Sequence, residues 1–348
     1  MNESQKMLDE AVTRLFSERV TREFLTESES GDWPATLWDL VTEQGLTHVL
    51  VGEAAGGMGG GWRDAFVVAR ACGRHAVPLP VPEAVLALHL LQCAGLEPRE
   101  GVPGLLPHAL APQDLAAGRC RAEVARVPWG RHADYFVATV SDGRLAIVSS
   151  DAATIHFDHN LAREPRDRVA FNGATVLATA PLALPADAVE WLGALLRAAQ
   201  IAGAAAGCLE LSVEYTSQRE QFGRLLSQFQ AIQHHLAELA GQVAAVDTIV
   251  MAACEALDRR GMTGGGRNAT LEIAAAKCLA SQAVEMLTRQ SHQVHGAIGF
   301  TYEYALHFLT RRLWSWRAEF GGVGRWGEHL GRVALEQGGD HLWNHITA

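Results

Sequence analysis

Residues 189–219 read "VEWLGALLRAAQIAGAAAGCLELSVEYTSQR". The stretch has no proline, and its only breakers are the small glycines Gly193, Gly203 and Gly207, so it predicts one long helix. Alanine and glycine on a helix surface let a neighbouring helix approach closely, which points to a bundle. Two further helical stretches follow, 227–257 ("SQFQAIQHHLAELAGQVAAVDTIVMAACEAL") and 268–296 ("NATLEIAAAKCLASQAVEMLTRQSHQVHG"). The cluster Gly261 to Gly266 separates them, and Asn268 or Thr270 can cap the second.

The pattern changes upstream of the bundle. "DYFVATVSDGRLAIVSS" (134–150) is two β-branched runs around Ser141-Asp142-Gly143, a hairpin signal, and "RVAFNGATVLATAPLAL" (168–184) continues with short runs and turn residues. Before these, from Lys6 to about Leu96, helical stripes return: Met7, Ala11, Leu15 and Phe16, then Leu37, Leu40, Val41 and Leu46. The glycine-dense stretch Gly56 to Gly61 and the prolines Pro78, Pro80 and Pro82 break this region. The expected fold is mainly α with a small β domain: an N-terminal helical domain (1–100), a reduced middle β domain (101–184) and a C-terminal helical bundle (185–348).

Composition narrows the function classes. The 348 residues are 48% hydrophobic and 20% charged, enough apolar material for a sizeable core, and the formal net charge of −10 argues against a nucleic-acid or anionic-membrane surface. The six cysteines have no paired spacing, so they read as small buried hydrophobes in a reducing compartment, the cytoplasm. The acidic, amphipathic N-terminus and the want of a run of ~18 apolar residues predict neither export nor membrane anchoring.

Four stretches, in order along nearly the whole chain, resemble the acyl-CoA dehydrogenase family. "LWDLVTEQGLTHVLVGEAAGGMGGG" (37–61) is similar to its first-domain helix and glycine loop, and "VPWGRHADYFVATV" (127–140) to its entry into the β domain. "YTSQREQFGRLLSQFQAIQHHLAELA" (215–240) resembles its "Y…R…FG…FQ…Q…LA" helix pair, and "AAAKCLASQAVEMLTRQSHQVHGAIGFTYEY" (274–304) its "Q…HGG.G…E" segment. The last two are the more specific. In the family they contact FAD across a subunit boundary. The resemblance therefore implies Arg219 at the pyrophosphate, Phe222 at the adenosine end, Gln293 and Gly296 at the same ADP moiety, and His295 beside it. A guanidinium offers phosphate a planar fork of donors, and glycine lets a backbone approach it closely. Taken singly, Arg219 reads as a solvated helix-end arginine and Gly296 as a helix C-cap. Ala297 stands where the family has a second glycine.

Two departures bear on chemistry. Between Gly101 and Ala183 there is no "TEP.AGSD"-like segment, which in the family contacts the flavin ring, and the region is short for a flavin-covering domain. The family's reaction removes an α-proton from a thioester while hydride leaves the β-carbon for the flavin, and this needs a carboxylate. In most members the base belongs to a "YEGT"-like loop, whose column falls on Phe320, with Glu319 one residue earlier. A one-residue shift turns a helical side chain by about 100°. A variant of the family carries the base on the first bundle helix, where the column falls on Gly193, with Glu190 a turn before.

Three readings follow. The chain is a self-sufficient FAD-dependent acyl-CoA dehydrogenase with Glu319 or Glu190 as catalytic base; or a partner-type subunit that completes the FAD site of a homologous flavin-bearing subunit in a heterotetramer; or a non-enzymatic assembly subunit. The second is preferred, with an acyl-CoA substrate, bulky or steroid-derived, and an electron-transfer flavoprotein as acceptor. Other chemistry has weaker support. Gly57 to Gly61 lacks the GxGxxG spacing and reads as a loop near the acyl-CoA cleft. His234, His235, His292 and His295 form no metal-ligand pattern, so no metal is expected. Trp314, Trp316 and Trp326 read as a cluster that lines an acyl cavity, or packs in a core or interface.

Overall fold

The computed structural model describes residues 2–263, 268–340 and 343. Helices α1 (Glu3–Arg19), α2 (Arg22–Ser28), α3 (Ala35–Glu43), α4 (Trp62–Arg74) and α5 (Val81–Cys93) come first. A β region follows, with β1 (Pro103–Leu105), β2 (Arg119–Pro128), β3 (Tyr135–Val140), β4 (Arg144–Ser149), β5 (Ala153–His156) and β6 (Arg166–Pro181). The rest is helical: α6 (Ala188–Gln218), a short hairpin of β7 (Glu220–Gln221) and β8 (Arg224–Leu225), then α7 (Gln230–Arg260), α8 (Thr270–His295), α9 (Leu306–Trp316) and α10 (Val323–Gln337). The order of helices, small sheet and helical bundle agrees with the expected fold class.

The sheet runs β1-β3-β4-β6-β2, with β5 also on β6. Gly143, at φ +86°, closes the Asp-Gly hairpin between β3 and β4. The long strand β6 pairs with β2 and β5 in its first half and with β4 in its second, so the sheet curls around its own small core of Leu106, Phe136, Val148 and Phe171.

Helix α6 is the axis of the molecule. A Cβ on Gly73 would lie 2.0 Å from the Gln200 carbonyl oxygen, and one on Gly203 would lie 1.8 Å from that of Arg70, so α4 and α6 cross backbone to backbone. Its 31 residues and those of α7 have the length and apolarity of a membrane span, although neither contains the long unbroken run sought in the sequence. The 18-residue apolar window of α6 is 94% buried by the surrounding helices, as in the core of a bundle.

Several sequence expectations are corrected in detail. Met7 is 66% exposed, and Val12 takes its place in the buried stripe of α1. Cys93 is exposed, unlike the other five cysteines. Trp316 and Trp326 are fully buried whereas Trp314 is 39% exposed, and Trp326 packs on Trp191 at 4.7 Å. The Gly56–Gly61 loop docks on α7: Asp258 accepts hydrogen bonds from the Trp62 and Arg63 N–H groups and caps α4. A Cβ on Gly61 would fall 2.7 Å from that carboxylate. Asn268 accepts from the Thr270 N–H at the start of α8, and residues 264–266 of the glycine cluster lie outside the described residues.

Candidate functional site

Two places bring the singled-out residues together. At the first, the C-terminal ends of α6 and α8 lie side by side, because the His295 ring stacks on Tyr215 at 4.8 Å. Arg219 is the C-cap residue of α6, and its exposed guanidinium makes no ion pair or hydrogen bond among the described residues. Phe222, at the tip of the β7–β8 hairpin with φ +53°, is 93% exposed. Gln293 is exposed, and Gly296 ends α8 at φ +63° with open space where a Cβ would stand. Gln293 and Gly296 also line a groove of about 860 Å³ walled by Phe300, Tyr302 and Trp314. His295 is 3% exposed, and its Nδ1 lies 2.7 Å from the Ser291 carbonyl oxygen. Burial lowers its pKa, so it is a neutral core imidazole supporting this surface from below.

The second place is where α9 ends. Helix α9 stops at Trp316, and residues 317–322 turn back with Phe320 at φ +52° and Gly321 at +87°. The Phe320 ring lies over α6, and a Cβ on Gly193 would meet its Cδ1 at 2.7 Å. The space left between Gly193, Phe320, Glu83 and Arg197 is a void of about 10 Å³, the size of one water.

Glu319, next to it in sequence, belongs to a buried ion-pair network. Arg166 grips it with two bonds, Nε to Oε1 at 2.8 Å and Nη2 to Oε2 at 3.0 Å, Arg197 Nη2 lies 2.9 Å from Oε2, and Asn160 donates at 3.1 Å. Arg197 also donates to Glu83 at 2.6 Å and to Gln200. Glu164 takes Arg166 at 2.9 Å, Arg312 at 3.2 Å and the Trp316 indole N–H at 2.9 Å. Burial pushes the Glu319 carboxyl up, but Arg166 and Arg197 more than reverse this and hold it at about 2. Beneath, the buried Lys277 donates to Ser281 Oγ at 3.1 Å and to the Trp316 and Arg317 carbonyls at 2.9 and 3.1 Å. Burial, with repulsion from Arg197, brings that amine down to about 7.

A cleft of about 400 Å³ opens between sheet and bundle beside this network. Glu319, Phe320 and Glu190 reach it, and so do Pro107, Arg126 and Pro128. Arg325 pairs with both Glu190 carboxylate oxygens, at 2.7 and 2.9 Å.

Family models for the acyl-CoA dehydrogenase N-terminal and C-terminal domains match residues 2–96 and 192–321. The acyl-CoA dehydrogenase IpdE2 of Mycobacterium tuberculosis is 31% identical over 89% of this chain and 91% of its own length. The chain belongs to the acyl-CoA dehydrogenase family. FadE34 of the same organism is 29% identical over 85% of this chain and 41% of its own. Among solved structures, the ChsE4–ChsE5 complex from Mycobacterium tuberculosis aligns with a TM-score of 0.84 at 20% identity, covering 95% of this chain and 97% of the other. The Tcur3481–Tcur3483 steroid acyl-CoA dehydrogenase G363A variant aligns with a TM-score of 0.82 at 24%, covering 96% and 98%. At such identities these likenesses concern the fold.

Phe320 and Gly193, the two positions at which the resemblance led us to expect a base, meet in space, and both are apolar: the Phe320 ring packs on Gly193. The fit to FAD differs between the two places. At the ends of α6 and α8, an unpaired guanidinium, an exposed amide and an uncovered glycine backbone suit an ADP moiety. In the cleft, Pro107 and Pro128 have no N–H to offer the acceptor atoms of an isoalloxazine edge, whereas Arg126, His108 and Gly321, which also line it, carry N–H groups. Arg166, Arg197 and Lys277 escaped the sequence reading, although Arg197 and Lys277 are single charges inside alanine-rich runs and so carry a signal of their own.

Proposed function

We propose that this chain is the partner-type subunit of a heteromeric acyl-CoA dehydrogenase. It completes the FAD site of a homologous flavin-bearing subunit by offering Arg219, Phe222, Gln293 and Gly296 to the ADP end, and it leaves the chemistry to that subunit. The observation that carries this reading is the Phe320 ring on Gly193, which fills the place of a base with an aromatic side chain and leaves about 10 Å³ of space. Glu319 offers no substitute, because its proton affinity is suppressed by two guanidiniums, and Glu190 is held by Arg325. The ADP-facing set argues against a pure scaffold, which needs no uncovered phosphate donors. FAD held between the two subunits would supply a hydride acceptor for dehydrogenation of an acyl-CoA thioester between Cα and Cβ. The paired-subunit assembly and a steroid-derived substrate come from likeness to ChsE4–ChsE5 and to the Tcur3481–Tcur3483 steroid enzyme, and an electron-transfer flavoprotein is the proposed acceptor.

The test is a flavin-to-chain ratio. Expressed alone, the chain should retain little or no FAD; co-purified with its partner, the complex should hold one FAD for every two chains. A homogeneous yellow homotetramer with one FAD per chain and turnover on an acyl-CoA would overturn the reading.

A further inference from the structure

The cleft between sheet and bundle is lined by both apolar and charged side chains. Its walls are apolar where Pro107, Pro128, Ala318 and Phe320 meet, and polar at a rim formed by Arg126 with His108 and His159. Arg126 is singled out by its backbone. Strand β2 loses register with β6 between Val124 and Val127, and within that bulge Arg126 adopts φ +57°. A bulge re-aims a side chain, and a long side chain at positive φ is costly unless its surroundings require it. The residue so placed lines the cleft, is exposed, and has no ion pair among the described residues.

Three of the other charges facing the cleft are in ion pairs. Arg166 and Glu319 hold each other, and Glu190 is held by Arg325. Asp158 accepts from the His159 N–H at 2.8 Å, lines the cleft and makes no ion pair among the described residues. The cleft therefore has one unpaired guanidinium but no surplus positive charge to attract a phosphate dianion. About 400 Å³ lies within the ordinary range for a small-molecule pocket.

We infer that this cleft binds a small amphipathic monocarboxylate, its acid group on Arg126 and its apolar body against Pro107, Pro128 and Phe320. Binding needs no chemical step. The inference rests on the reading that no isoalloxazine occupies the cleft. Octanoate supplies the charged probe, octanol the uncharged one of equal length, and octanoyl-CoA with free CoA separates a free acid from a thioester.

Titration calorimetry on the full chain, with flavin content read from its visible absorbance, should show octanoate binding at least about tenfold more tightly than octanol. Arg126→Ala should weaken octanoate by a similar factor and leave octanol unchanged. Arg126→Gly, which relieves the positive φ and so should fold at least as well, should lose octanoate equally. Equal affinity for octanoate and octanol, unchanged binding in either variant, or tighter binding of octanoyl-CoA than of octanoate overturns the inference. A flavin-free sample that ignores octanoate overturns it and leaves the functional reading intact. One flavin per chain overturns the functional reading, and the inference with it.

Discussion

A carboxylate takes a proton from a thioester α-carbon when its own pKa lies near the working pH, and two guanidiniums hold Glu319 far below that, at about 2. Its charge is structural. Glu319→Gln should leave Arg166 and Arg197 short of a counter-ion and cost roughly 3 kcal/mol or more in denaturant unfolding. The same group sets a pH dependence. Its folded pKa is depressed from the ordinary 4.5, so the stability it contributes is present above pH 4.5 and is lost as the pH falls from there towards 2. Glu319→Gln should flatten the stability profile in that window, and an unchanged acid limb would contradict the assignment. Glu319 was visible in the sequence as an acid at the right end of the chain. Its partners were not, since Arg166 stands 153 residues away and only folding brings the two together.

The long helices were legible because their apolar periodicity is local, and the Asp-Gly hairpin because turn chemistry is local as well. What periodicity could not supply is how closely two elements approach. At Gly203 the obstacle to a Cβ is the backbone of α4, at 1.8 Å from the Arg70 oxygen, so Gly203→Ala must push two helices apart. It should destabilise by about 3 kcal/mol or more or prevent folding, whereas Gly327→Ala, whose Cβ would come no nearer than 4.0 Å to Cys278 Sγ, should stay within about 1 kcal/mol. At Gly193 the obstacle is the Phe320 side chain, which can yield. Gly193→Ala should cost ~1–3 kcal/mol, and the cost should shrink when Phe320→Ala is added, a coupling that a double-mutant cycle reads directly. Lys277 ties α8 to the last carbonyls of α9. Its folded pKa, lowered from 10.5 to about 7, means that the unfolded chain binds more protons between those values, so stability should rise with pH from 7 to 10.5. Lys277→Met should remove that slope, as measured by denaturant unfolding at both ends of the window.

At the scale of the molecule, the sequence disclosed the three-part order and the family, while the proposed division of labour between subunits rests on where side chains meet. Arg219, Phe222, Gln293 and Gly296 belong to segments far apart in the chain that share one end of the bundle because α6 and α8 run parallel through it. In the assembled complex, Arg219→Ala should remove a charge-assisted phosphate contact worth ~1.5–3 kcal/mol and lower the flavin retained through gel filtration. Unchanged flavin content would detach Arg219 from that role.

The buried network joins all three parts of the chain: Glu83 from α5, Glu164 and Arg166 from the β region, Arg197 from α6, and Arg312 and Glu319 from α9 and the turn beyond it. Arg197 sits 5.6 Å from the centre of the Phe320 ring. Placing an acid at position 320 would therefore set a third carboxylate competing for the guanidinium that Glu83 and Glu319 already share. On the proposed partner-subunit reading, Phe320→Glu is therefore expected to loosen the junction where the three parts of the chain are tied together and to bring no turnover with it.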